Sequence, residues 1–148
     1  SAEFNIYVYP HAAKIVFGAG VPITMFPLDV THKALTKRDR VQKFRDLGTK
    51  VGTATAELLD FFERFDVEKY GTDGGPLHDP NVIAWLLKPE LYGGRHINVE
   101  IETTSELTMG MTIADWWGVT ERPKNAYFVR DIDAEGFYNL LLERIGTL

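Results

Sequence analysis

Two hydrophobic periods alternate along this chain, and they restrict its fold more than any other feature. Val51, Ala54, Leu58, Phe61 and Phe65 recur at alternating steps of three and four, which predicts an amphipathic helix over residues 49–66. His96 to Thr103 instead alternates Ile97, Val99 and Ile101 with polar residues, which predicts a strand with one wet face. Strand composition also marks residues 4–8, 23–26 and 125–130. Helices are expected from Pro10 to a stop at Gly18 and Gly20, from Lys37 to Leu47, and through Val82, Trp85 and Leu86. Thr31 or Asp29 is expected to cap a helical turn running through Leu35, and Asp133 to cap a last helix bearing Phe137, Leu140, Leu141 and Ile145. Strands alternating with helices predict an α/β sheet covered by helices on both faces, with ligands at the carboxyl ends of its strands.

The chain has 148 residues, 45% of them hydrophobic, enough for one globular core, and residues 1–148 read as a single domain. A sheet whose first strand lacks flanking elements reads as part of a larger domain. A net charge of −5 with 16 scattered basic residues argues against a nucleic-acid backbone as partner. No apolar run approaches the ~20 residues that span a bilayer. Zero cysteines leave oxygen and imidazole as the metal ligands on offer, and they fit a reduced, cytoplasmic setting. Uncovered strand edges and apolar faces predict a homo-oligomer.

The densest chemistry lies in Gly74-Gly75-Pro76-Leu77-His78-Asp79-Pro80. Pro80 suits a first helical turn, so Asp79 is the expected N-cap and His78 stands just before the helix. An imidazole beside a carboxylate pairs a neutral-pH proton donor with a hard oxygen ligand, the pairing that metal-assisted hydrolysis uses. Tyr70 sits at the mouth of a glycine-bearing loop, Gly71 to Gly75, that could close over a substrate. At the other end, alternation along a strand would put Glu3 and Asn5 on one face and Phe4 on the other. A carboxylate plus an amide suits a polyol, because together they accept and donate hydrogen bonds.

Five blocks in order carry a family resemblance: Glu3 to Val8, Pro10 to Val16, Pro27 to His32, His78 to Pro80, and Leu107 to Thr112. Together they resemble the C-terminal half of the nucleoside hydrolases, the inosine-uridine-preferring ribohydrolases, over nearly the whole chain. The resemblance implies an open, Rossmann-like sheet and hydrolysis of the N-glycosidic bond of small-molecule ribonucleosides. It implies that Glu3 and Asn5 bind the ribose hydroxyls, that Phe4 lines the sugar pocket, and that Tyr70 meets the base. It further implies that His78 protonates the leaving base and that Asp79 ligates a calcium ion.

Two departures stand against it. The Asp-rich segment that supplies the family's other metal ligands is absent, and one carboxylate cannot make a site for a cation that takes six to eight oxygens. Tyr9 also stands where relatives have a capping Asp before the Pro10 helix, a local loss of roughly 1 kcal/mol. The isolated chain is therefore expected to be inactive, and a non-catalytic binding or oligomerisation module is the competing reading. Trp116 and Trp117 read as packing residues, while His11, His32 and His96 are too scattered to read as ligands.

Overall fold

The computed structural model describes residues 2–148, with the side chains of residues 65–67, 69 and 70 outside the description. The chain runs α1 (Phe4–Val8), α2 (Pro10–Phe17), β1 (Thr24–Met25), α3 (Leu28–Thr31), β2 (Leu35–Thr36) and α4 (Arg38–Arg45). It continues with α5 (Lys50–Tyr70), β3 (Gly75–Pro76), α6 (Pro80–Leu87) and, after a 3-10 turn, β4 (Tyr92–Ile97). β5 (Val99–Ile101), β6 (Thr112–Ala114), β7 (Ala126–Ile132) and α7 (Ala134–Gly146) complete it. Two compact units result, residues 1–25 with 94–129, and residues 26–93 with 130–148. The predicted α/β class stands.

In the first unit, β1 pairs in parallel with β7, Thr24 opposite Tyr127 and Met25 opposite Phe128. The sheet order is β1-β7-β4, and β5 forms a separate antiparallel pair with β6. The alternation predicted for 96–103 is present, with Ile97, Val99 and Ile101 at most 3% exposed. It is broken at buried Asn98, whose Nδ2 donates to Glu100 Oε1 at 3.1 Å and to the Pro123 carbonyl at 2.9 Å. Ile97, Val99, Ala126 and Phe128 form a core that Phe17, Ile23, Met25 and Trp116 close. Burying such side chains contributes roughly 1.5–3 kcal/mol each.

Residues 4–8 are helical, not extended. Strand-favouring Phe, Ile, Tyr and Val are overridden by Glu3, whose Oε2 accepts from the backbone N–H of Asn5 at 2.9 Å and of Ile6 at 3.2 Å. A side chain that satisfies two otherwise unpaired donors favours helix at this spot. α1 is only five residues long, so local capping decides it.

The second unit corrects three further expectations. Residues 28–31 are helical, but Leu35 and Thr36 form β2, which pairs antiparallel with Gly75 and Pro76 of β3. Gly74 and Gly75 are accordingly buried and pinned, so the loop that was expected to close over substrate is held at its second half. α5 is present, yet its large apolar stripe is not the packed face. Leu58 and Phe61 are 69% and 73% exposed, whereas Ala56 is fully buried. The cause is close approach to α4: a Cβ at Gly52 would lie 2.5 Å from the Phe44 carbonyl oxygen. Only the small-residue face of α5 fits there. Asp133 caps α7 as expected, accepting from the Gly136 N–H at 3.0 Å.

Gly74 has φ +113°, and a Cβ there would sit 2.5 Å from the Thr36 carbonyl oxygen. Gly74→Ala is expected to lower stability by roughly 1–3 kcal/mol in chemical denaturation. An unchanged midpoint would contradict the packing of β2 on β3.

Candidate functional site

The predicted site residues fall into two groups, one in each unit. In the first unit, Glu3 and Asn5 meet through the α1 cap, not through strand alternation: Asn5 Nδ2 donates to Glu3 Oε1 at 3.1 Å. Phe4 is 74% exposed. The Leu107–Thr112 block lies beside this helix, with Gly110 abutting Tyr7. Tyr9 ends α1 and precedes Pro10 with no side-chain cap, so the missing carboxylate is not replaced. Trp116 packs edge-to-face on Phe128 at 5.8 Å, as its packing role predicted, while Trp117 is 80% exposed.

In the second unit, His78 is half-buried, and its Nδ1 lies 2.8 Å from the hydroxyl of Thr31, which is only 2% exposed. Thr31, expected only as a helix cap, instead fixes one ring nitrogen of His78 from below. His32 stands beside it, with the two imidazole centroids 5.9 Å apart. This gives a place to a histidine that the sequence left without a role.

Asn81 organises the backbone around His78. Fully buried, it donates from Nδ2 to the carbonyls of Leu77 at 2.5 Å and His78 at 3.2 Å. Its Oδ1 accepts from the Tyr92 hydroxyl at 3.0 Å. The Tyr92 ring is gripped edge-to-face by Phe26 at 5.4 Å and Trp85 at 5.9 Å, and burial pushes its phenol pKa up. Neither Asn81 nor Tyr92 stands out in the sequence as a functional residue. The available signal was an amide placed immediately after Pro80 in an otherwise apolar helix.

Asp79 does not cap α6. Its φ of −61° and ψ of −38° are already helical, and its exposed carboxylate makes no capping bond. That backbone conformation is disfavoured for a residue before proline. The Asn81 bonds on the two preceding carbonyls hold it in place. Among the described residues, no group of three histidine or carboxylate side chains could hold a metal ion. The residues present therefore do not fit a calcium site by themselves. The Tyr70 side chain lies outside the described residues. Of the other histidines, His11 is exposed and His96 packs edge-to-face on Tyr127 at 5.2 Å.

Removing the Asn81 amide leaves the Tyr92 hydroxyl and the Leu77 carbonyl without this partner, while the His78 carbonyl keeps the Asn81 backbone N–H. Asn81→Ala is expected to cost about 1–3 kcal/mol of stability and to shift the His78 ring resonances in NMR spectra. A stable variant with an unmoved His78 ring would contradict this positioning role.

A family model described as inosine-uridine preferring nucleoside hydrolase matches residues 1–139. The chain is 51% identical over 148 residues to a protein of Schizosaccharomyces pombe, covering 100% of this chain and 48% of that one. It is 49% identical over 146 residues to the pyrimidine-specific ribonucleoside hydrolase RihA of Salmonella typhi, covering 98% of this chain and 47% of RihA. The solved purine-preferring ribonucleoside hydrolase of Gardnerella vaginalis superposes with a TM-score of 0.84 at 32% identity, over 99% of this chain and 46% of that one. The plant nucleoside hydrolase PpNRh1, at 24% identity and a TM-score of 0.87, shares the fold. The chain thus spans about half the length of the curated relatives it matches, and corresponds to their C-terminal portion. It belongs to the inosine-uridine preferring nucleoside hydrolase family.

Proposed function

We propose that this chain supplies the sugar-binding and proton-donating half of a ribonucleoside hydrolase that converts a ribonucleoside and water into ribose and a free base. The observation that carries the reading is His78, held at Nδ1 by buried Thr31 and followed by an uncapped carboxylate. Breaking the C1′–N bond sends its electron pair to the base and leaves positive charge on the sugar. A proton delivered from His78 Nε2 would neutralise the departing base, while the oxygen of water bonds to C1′ and loses a proton. Glu3 and Asn5 would hold the ribose hydroxyls, Phe4 would line the sugar, and Tyr70 would contact the base. Close identity to proteins named pyrimidine-specific favours uridine and cytidine as substrates.

Asp79 is assigned as one ligand of a calcium ion whose remaining ligands come from outside this chain. No catalytic step is assigned to that ion, because this chain offers a single carboxylate for it. The working form is a homo-oligomer, and the absence of cysteine suits a cytoplasmic role in nucleoside salvage. A second reading, a module that kept the fold without the chemistry, is favoured by the lack of clustered metal ligands among the described residues and by the exposed Leu58–Phe61–Phe62 surface of α5.

Ribose release separates the two. The chain alone, given uridine and millimolar calcium, is expected to release none; turnover by it would overturn the divided site. Co-purified with the N-terminal half of RihA, it is expected to turn over uridine. In that assembly His78→Ala should lower kcat by about 10²–10⁴-fold, and Glu3→Gln should act chiefly on KM. An assembly indifferent to His78 would overturn the proton-donor role, and an inert assembly would favour the non-catalytic module.

A further inference from the structure

The first unit carries a cationic cleft that the hydrolase reading does not use. A cleft of about 230 Å³ is lined by Arg95, His96, Asp115, Trp117, Arg122 and Lys124 among others. On a chain of net charge −5 this gathers three permanent cations around one carboxylate. That carboxylate is already engaged. Asp115 accepts from the N–H groups of Val119 at 2.9 Å and Thr120 at 2.8 Å, and from the Thr120 hydroxyl at 2.6 Å. By contrast, the side chains of Arg95, Arg122 and Lys124 make no ion pair or hydrogen bond among the described residues.

The rim is built to hold these groups in place. Buried Asn98 donates to the Pro123 carbonyl at 2.9 Å, and the Asn125 N–H donates to the Ile97 carbonyl at 3.1 Å. These bonds fix the backbone on both sides of Lys124. Arg95 lies over the Trp116 ring at 3.8 Å and reaches within 5.7 Å of the Trp117 ring. Stacking occupies the face of a guanidinium and leaves its N–H edge for the oxygens of an anion such as phosphate. Trp117 remains 80% exposed. A neighbouring cleft of about 590 Å³ shares His96, Asn98 and Lys124 and includes one more carboxylate, Glu100, which accepts from Asn98 Nδ2. The cations therefore border space for a group larger than phosphate alone.

We propose that this cleft binds a nucleoside monophosphate, with Arg95, Arg122 and Lys124 on the phosphate and the Trp117 indole against the base. Charge-assisted hydrogen bonds from arginine suit phosphate oxygens, and an exposed indole suits any base. The inference does not depend on catalysis, since it shares no residue with Glu3, Asn5, His78 or Asp79.

The readout is the Trp117 indole N–H resonance of the purified chain, assigned through Trp117→Phe, during titration with uridine 5′-monophosphate, uridine and inorganic phosphate at low salt. The monophosphate is expected to saturate the shift with a Kd below about 1 mM, and uridine to need at least tenfold more. Arg122→Glu with Lys124→Glu should weaken the monophosphate at least tenfold with an unchanged circular dichroism spectrum, and Arg122→Gln with Lys124→Gln should weaken it less. Inorganic phosphate should compete. Equal responses to monophosphate and uridine, indifference to both double variants, or no shift at 10 mM monophosphate would overturn the proposal. Because hydrolysis is not measured, failure here leaves the hydrolase reading standing, and the reverse holds too.

Discussion

The second unit depends on one buried amide. Asn81 joins the carbonyls of Leu77 and His78 to the hydroxyl of Tyr92, the first residue of β4. A fully buried amide left unpaired is costly, so these bonds bind the loop before α6 to the start of the strand. Around it, the pairing of β2 with β3 brings the loop down onto the segment between α3 and β2, where the Leu77 N–H donates to the Ala34 carbonyl at 3.1 Å. The imidazole of His78 then meets the Thr31 hydroxyl in a fixed orientation. Proton transfer requires that the donor atom be placed before its acidity matters. The polar network under His78 meets that requirement through the Thr31 hydroxyl and the Asn81 amide.

The sequence revealed helices and strands where one period ran long enough to dominate. α2, α4, α5, α7 and β7 all stand close to their expected positions. It misled where a local bond outweighed composition. Phe4 to Val8 reads as a strand by residue type, yet the Glu3 carboxylate closes a helical turn over it. Leu35 reads as the end of a helical turn, but its partner Pro76 lies 41 positions away, beyond the reach of local pattern. The stripe on α5 was legible as a stripe and misleading as a core, because Gly52 and Ala56 allow the closer approach.

The site was legible only in part for a related reason. His78 and Asp79 stood out because their side chains are chemically distinctive in a short run. Thr31 and Asn81 did not, because a hydroxyl and an amide become informative only when burial fixes what they touch. Asp79 illustrates the limit: its place before Pro80 suggests a cap, whereas its helical dihedrals keep the carboxylate away from that job. A carboxylate released from capping remains available to a cation, which is the one use that the family resemblance assigns it. The large apolar residues exposed on α5 and α6, Phe61 and Leu86 among them, fit a chain that spans about half of its relatives' length.

The central claim is that the polar network under His78 aims its imidazole at the base of a bound nucleoside. Isotope-filtered nuclear Overhauser spectra of the labelled chain with uridine test it most directly. The predicted result is a set of contacts from the base protons to the His78 ring that is lost in Thr31→Val. Contacts that survive Thr31→Val, or none at saturating uridine, would contradict it.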